Sequence, residues 1–173
     1  MTSFFDPLLN FAPISRVRRN HGLEHATLHL LAERFPHLSM AGHSDTGGFW
    51  LLGDIPENAV LQAVDEALRR MQQGEHHLAV HPNCGTNFVT SGSMAGIAGA
   101  SAMWSAGSDW RDKVERLSLA ALLATIALIF SRPLGLWLQA AVTTSGRPGA
   151  LTVVDVRRTR RGSLPAYRIT TRG

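Results

Sequence analysis

Residues 82–108 contain no Asp, Glu, Lys or Arg, and this uncharged run restricts the fold more than any other feature. A charged island, Asp109–Arg116, follows it, and then a strongly apolar run, Leu117–Phe130. A helix that crosses a bilayer needs about 20 apolar residues. The first run is long enough but weakly apolar, and the second is apolar but short. We therefore expect a membrane-inserted helical hairpin with the island at its tip; two helices buried in a soluble core are the alternative.

Glycine spacing and basic residues refine this expectation. Gly92 and Gly96 have the G-x-x-x-G spacing that lets membrane helices approach closely. The positive-inside tendency places the ends of the hairpin, near Arg132 and Arg147, on the cytoplasmic side, although the island is also basic. Bilayer lipid is thus the expected partner. Nucleic acid is not expected, because the basic residues lack interleaved aromatic side chains and Tyr167 is the only tyrosine.

The flanking regions have the patterns of a small α+β domain. A helix is expected over 20–34 with Asn20 as its N-cap, and a second helix between Pro56 and Gly74. Strands are expected near 37–43 and 48–53, in "HHLAVHP" before Pro82, and in a C-terminal hairpin. The predicted fold class is α+β, a small mixed sheet packed by two helices, with an inserted membrane helical hairpin.

Four segments are predicted from these patterns. They are an amphipathic N-terminal arm (1–19), a metal-binding α/β part (20–87), a membrane-embedded helical segment (88–146) and a β-hairpin that joins the soluble part (147–173). Because a membrane hairpin returns to the side on which it starts, the two soluble parts can share one sheet.

The first helix contains "NHGLEHATLHLL", with histidines at positions 21, 25 and 29. His21 and His25 are four residues apart and lie on one helix face, where both can reach one ion. Glu24 lies on the flank of that face, in the H-x-x-E-H order, and can take a proton from a metal-bound water. His29 lies about 12 Å from His21 along the axis and is expected to be structural or to support the ligands.

A second motif, "HPNCGTN", runs from His81 to Asn87 and contains Cys84, the only cysteine. Cys84 is a soft third ligand and His81 an alternative one, and the sequence leaves that choice open. Thr86 and Asn87 are expected to cap the helix that follows. "TTSG" at Thr143–Gly146 is too generic to assign.

The two motifs together resemble a group of bacterial membrane-associated domains of unknown function. That group carries H-G-x-E-H followed by H-P-x-C-G-T, and it includes the YqhQ-like proteins, described as predicted metal-dependent enzymes. The resemblance implies a metal at His21, His25 and the His81–Cys84 turn, with Glu24 as the base. It implies no substrate. A distant glutamate ligand, usual in inverzincins, is not identifiable here, which argues against a standard peptidase.

The expected function is that of a membrane-associated, metal-dependent hydrolase, with zinc as the metal and Glu24 as the activator of water. Its substrate would be a peptide, an amide or a lipid-linked group near the membrane. The alternative is a non-enzymatic membrane subunit or adaptor, in which His21, His25, His81 and Cys84 close a structural zinc site. A metal-free soluble protein is the third possibility.

Overall fold

The structure is a computed structural model that describes residues 6–104, 106–107 and 109–173. The first five residues of the predicted arm lie outside this range. The chain forms two compact units. The first unit comprises the chain up to His81 together with Ala140–Gly173, and the second comprises Pro82–Gln139.

The first unit contains helices α1 (Asp6–Leu9), α2 (Ala12–Arg34) and α3 (Glu57–Gln72), a 3-10 helix (His76–Ala79), and strands β1 (Ala41–Asp45), β2 (Gly48–Leu52), β3 (Thr152–Arg161) and β4 (Leu164–Arg172). The second unit contains α4 (Gly85–Met103) and α5 (Trp110–Leu138). A short π-helix, Gln139–Thr143, follows α5.

Helix α2 begins at Ala12, eight residues before the predicted start. Pro13 lies in its first turn, where the missing N–H of proline costs no helical hydrogen bond. Asn20 is therefore not an N-cap. Its buried amide donates to the carbonyl of Asp45 at 2.8 Å and accepts from the hydroxyl of Thr171 at 2.7 Å. Asn20 thus joins α2 to both halves of the sheet.

The sheet has the strand order β1-β2-β4-β3, and every neighbouring pair is antiparallel. The α+β fold class is confirmed, and the pairing expected to be mixed is antiparallel throughout the described strands. Strand β2 pairs with β4, with Phe49 opposite Ile169 and Leu51 opposite Tyr167. The two segments on either side of the predicted membrane hairpin therefore do share one sheet.

These four paired side chains are fully buried and form the sheet's contribution to the core. Helices α2 and α3 cover this face with Leu23, Leu31, Val60 and Val64, which are also fully buried. The Tyr167 hydroxyl donates to the carbonyl of Ile55 at 2.8 Å, so its polar end is satisfied inside the core.

The strand predicted at "HHLAVHP" is wrong, because residues 76–79 form a 3-10 helix. Two exposed residues, His76 and His77, are followed by two buried ones, Leu78 and Ala79. A strand requires alternation between its two faces, and this pattern does not alternate. The turn that results directs the carbonyl groups of Ala79 and Val80 to α2 instead of to a neighbouring strand.

In the second unit, α4 and α5 pack against each other as an antiparallel pair. The Ser91 and Ser131 hydroxyl oxygens lie 2.7 Å apart, and a Cβ on Gly135 would lie 2.6 Å from Oδ1 of Asn87. The close approach predicted at Gly92 and Gly96 is not found, since a Cβ on either glycine meets no described atom within 4 Å. The tight contact depends on Gly135 and the serines instead.

Among the described residues, one helical stretch, Trp110–Thr143, is long and apolar enough to cross a membrane. Only 11% of its most apolar 18-residue window is buried. Helix α4, the other half of the predicted membrane hairpin, does not meet the same criterion of length and hydropathy.

Candidate metal centre

Helix α2 is buried from Gly22 to Leu28; His25 lies within this stretch, and His21 and His29 lie at its two ends. The sheet covers one side of this part of α2, and the 3-10 helix covers another. His25 is 2% exposed and Glu24 is 4% exposed, whereas His21 is partly exposed. Helix α2 therefore presents a pair of candidate ligands in which His25 is buried and His21 remains accessible.

Two imidazole rings of α2 and the ring of His81, which follows the 3-10 helix, lie close together in the first unit. The ring centroids of His21 and His25 are 4.3 Å apart, and those of His25 and His81 are 5.7 Å apart. A ring nitrogen of His21 lies within 4.8 Å of one of His25, which suits two ligands of one ion. The His81 ring lies nearer to His29, at 4.6 Å between centroids.

Backbone carbonyl groups fix the orientation of these rings. Nδ1 of His21 lies 3.0 Å from the carbonyl oxygen of Thr143, and Nδ1 of His25 lies 2.8 Å from that of Ala79. Because a carbonyl only accepts, each Nδ1 must carry the proton, and the lone pair of each ring is then on Nε2. Metal-ligating histidines commonly have this arrangement, in which one nitrogen donates to the protein and the other binds the ion.

His29 uses the opposite nitrogen. Its Nε2 lies 2.9 Å from the carbonyl oxygen of Val80, so the ring is tied to the segment that leads to His81. This bond holds α2 against residues 79–81, in agreement with the structural role expected from its distance along the helix.

Glu24 lies against strand β1. The Ser44 hydroxyl donates a short hydrogen bond to its carboxylate. A Cβ at Gly42 would lie 2.1 Å from Oε1 of Glu24, so a larger residue there would displace the carboxylate from this position. Burial raises the pKa of Glu24, while the Ser44 hydrogen bond and the charge of His21 oppose that shift. The carboxyl is thus held in one position by Ser44, and its surroundings shift its pKa upward.

His81 has its pKa lowered to about 4, chiefly by burial and further by the charges of His29 and His25. The ring is therefore neutral at physiological pH, which is the form that binds a metal.

Cys84 belongs to the second unit, where it is the N-cap of α4. Its sulfur accepts a hydrogen bond from the backbone N–H of Thr86 at 3.4 Å. The cap predicted at Thr86 or Asn87 is therefore wrong by two or three residues. Cys84 follows His81 by three residues, so chain geometry keeps their Cα atoms within about 11 Å of each other.

The sequence patterns did not identify Ser44 and Gly42, which lie against Glu24 from strand β1. Side chains alternate along a strand, so Gly42 and Ser44 share the face that meets Glu24. Asp45 accepts from the Gly47 N–H and from both terminal nitrogens of Arg168, each at 2.8 Å. A glycine inside a strand was the available signal, because it often marks a close approach.

The comparisons with known proteins agree with one another. Residues 16–156 match the family model "Domain of unknown function (DUF6391)". An uncharacterized protein of Picosynechococcus sp. is 34% identical over 154 residues, which cover 79% of this chain and 72% of that protein. No solved structure matches. The family model includes α2, the 3-10 helix and both helices of the second unit, and the chain belongs to the DUF6391 family.

Proposed function

We propose that the protein is a membrane-associated, metal-dependent hydrolase in which Glu24 acts as the general base. The observation that carries this proposal is a buried carboxyl group, supported by Ser44 and Gly42, on the same helix turn as an oriented histidine pair. A purely structural metal site has no need of such a carboxylate, and burying one without a function would cost stability.

The donor atoms of the site suit zinc. His21 and His25 each direct Nδ1 to a carbonyl and keep Nε2 for coordination. Nitrogen and sulfur ligands in a set of three favour zinc over magnesium or calcium, which prefer oxygen. Zinc bound there would supply Lewis acidity and lower the pKa of a water.

The third ligand in this proposal is Cys84, with His81 as the alternative. His81 is neutral, lies in the same unit as the pair, and has its ring centroid 5.7 Å from that of His25. Cys84 supplies the softer atom and follows His81 closely in sequence. Three protein ligands would leave a fourth position for water, as catalytic zinc sites do.

Glu24 performs the proton transfer in this account. Its carboxylate takes a proton from the attacking water and then gives it to the leaving group. Ser44 donates to this carboxylate and keeps it pointed in one direction, while Gly42 leaves the room that the carboxylate occupies.

Membrane association is proposed from α5. Its exposed apolar side chains include Leu122, Ile126 and Ile129, and water is a poor solvent for so large an apolar surface. The proposed orientation has both ends of the helix pair on the cytoplasmic side. The substrate would then be a peptide, an amide or a lipid-linked group at the membrane surface. The resemblance to the YqhQ-like predicted metal-dependent enzymes supports the same class.

A structural zinc site is the second candidate, and the near-complete burial of His25 favours it. His21, His25, His81 and Cys84 would then all bind the ion and leave no place for water. The protein would be a membrane subunit or adaptor.

Glu24→Gln separates the two candidates. The hydrolase predicts that this variant retains metal but fails to replace the wild-type protein in a host strain that lacks the gene. Ser44→Ala, which removes only the hydrogen bond to Glu24, should cause a partial defect. Normal complementation by a metal-loaded Glu24→Gln protein would refute the hydrolase and support the structural site.

A further inference from the structure

A second polar site lies in the first unit, where the segment after the π-helix meets α2. A cavity of about 450 Å3 opens there, which is within the size range of small-molecule sites. Its wall includes three basic side chains from three segments: Arg18 of α2, His76 of the 3-10 helix, and Arg147. The described lining includes no Asp or Glu. The cavity is therefore suited to an anion.

Two glycines permit the chain to form this cavity. A Cβ on Gly22 would lie 2.2 Å from the carbonyl oxygen of Ser145, and one on Gly146 would lie 2.6 Å from that of His76. The Ser145 N–H also donates to the carbonyl of Arg18 at 2.9 Å. Residues 143–147 are thus held tightly against α2 and the 3-10 helix.

Hydrogen bonds within this packed region fix the positions of the Arg18 and His76 side chains. The Arg18 guanidinium donates to the carbonyls of Ala141 and Thr144, at 3.0 and 3.1 Å. Nδ1 of His76 lies 2.7 Å from the Gly146 carbonyl oxygen and donates to it, and the imidazolium form of this ring would also donate from Nε2 to an oxyanion. Within the described part of the chain, the Arg147 side chain forms no ion pair or hydrogen bond and keeps its donors for a ligand.

This cavity is next to the candidate metal centre. Thr143, at the start of residues 143–147, accepts the hydrogen bond of His21, and Ala79, which lines the cavity, accepts that of His25. Arg18 precedes His21 by three residues, about one helical turn. The same backbone segments therefore orient the ligand pair and enclose the basic cavity.

We propose that this cavity binds a phosphate group, and that the substrate of the hydrolase carries that group beside the bond to be cleaved. Donors from three segments surround a tetrahedral oxyanion better than a planar carboxylate, which one guanidinium fork satisfies. Phosphate binding stands without the metal, whereas the assignment to a substrate rests on the proposed hydrolase. The phosphate belongs either to a lipid headgroup or to a water-soluble phosphate compound.

The test is calorimetric titration of the full-length, detergent-solubilised, chelator-treated protein with inorganic phosphate. Saturable binding is expected, and Arg147→Gln should weaken it about tenfold, since a charge-assisted hydrogen bond is lost. Arg172→Gln, which removes an equal charge at the end of β4, should change the Kd less than twofold. Acetate at the same concentration should not bind.

Two further measurements extend this test. One distinguishes a lipid headgroup from a soluble phosphate compound, and the other distinguishes the phosphate-binding proposal from the metal-site proposal. A short-chain phosphatidic acid that binds more tightly than inorganic phosphate identifies a lipid headgroup, and equal binding identifies a soluble compound. His25→Ala should lose metal and retain phosphate binding. If no saturable phosphate binding occurs, or if Arg147→Gln and Arg172→Gln bind as the wild type does, the cavity proposal fails while metal content remains a separate result.

Discussion

Helices α2 and α5 differ in the kind of side chain that they bury and expose. Helix α2 carries three histidines, a glutamate and an asparagine in its middle, yet it is buried from Gly22 to Leu28. Helix α5 belongs to the one described helical stretch that is long and apolar enough to cross a membrane, yet its buried residues are only Ser131 and Gly135. A polar helix inside and an apolar helix outside is the reverse of the usual distribution in water, and this contrast supports the proposed membrane association of α5.

If α5 is inserted in a membrane as proposed, two different environments stabilise the two units. In the first unit, burial of polar groups is compensated by hydrogen bonds to backbone carbonyls and to Ser44. In the second unit, the polar contacts join the helices and the apolar side chains face outward, as in membrane bundles. The following substitutions test this contrast, from the largest expected effect to the smallest.

The same change, Leu to Ala, should have different costs in the two helices. Leu31→Ala removes a fully buried side chain from the core and should lower the free energy of unfolding by about 2–5 kcal/mol. Leu122→Ala, at 56% exposure on α5, should cost less than about 1 kcal/mol. Denaturant unfolding in a mild detergent measures both. Equal losses would show that α5 is part of a water-excluding protein core.

A charge in the middle of the apolar run should oppose membrane insertion. Ile126→Lys places an ammonium group at the centre of α5, at a cost of about 2.5–3.5 kcal/mol in a bilayer. Leu61→Lys, on the partly exposed side of α3, is the matched control and should have no such effect. Carbonate extraction of cell membranes reports the fraction inserted. Full retention of Ile126→Lys in the membrane would contradict the proposed insertion of α5.

A substitution at Asn20 tests how much the buried polar groups of α2 stabilise the first unit. Asn20→Ala leaves the Asp45 carbonyl and the Thr171 hydroxyl without this partner, and should cost about 1–3 kcal/mol. Asn58→Ala, at an exposed position in the first turn of α3, should change stability by less than about 0.5 kcal/mol. Thermal unfolding curves of the two variants provide the comparison, and similar midpoints would contradict a structural role for Asn20.

The smallest effect is expected at the edge of the sheet. Hydrogen bonds from Arg168, and then from the Gly47 N–H, hold the pKa of Asp45 below its usual value. A lowered folded-state pKa stabilises the protein above the unfolded pKa, about 3.9, and this contribution disappears as the pH falls through the folded value. Asp45 is partly exposed, so the gain should stay below about 1 kcal/mol.

Asp45→Asn should therefore differ from wild type in stability above about pH 5 and converge with it in stronger acid. Asp54→Asn, which loses an exposed ion pair with Arg158, is the matched variant. Acid titrations of unfolding measure both, and a constant difference down to the lowest pH would contradict the assignment.

Much of this fold follows from local patterns. Both hairpins and α3 were predictable from turn residues, alternation and helix ends, because these signals act over a few residues. The start of α2 and the 3-10 helix at His76–Ala79 were not. Their form depends on contacts with the sheet, which local propensity does not include.

The candidate site also contains residues that local sequence patterns predict and residues that they do not. His21, Glu24 and His25 were identifiable from helical spacing, since the spacing alone sets their common face. The carbonyls of Thr143 and Ala79 were not, because they come from segments more than 50 residues away and every residue has a carbonyl. No role could be assigned to residues 143–147 for the same reason, because Arg147 and Gly146 contribute to a cavity only through their contacts with α2 and His76.

Metal content is the most direct test of the central claim. Protein purified without a histidine tag should contain one zinc ion per chain by elemental analysis. His25→Ala and Cys84→Ser should lose it, whereas His77→Ala, an exposed histidine outside the cluster, and Glu24→Gln should retain it. Absence of a stoichiometric transition metal in the wild-type protein, or equal metal in His25→Ala and His77→Ala, would contradict the account.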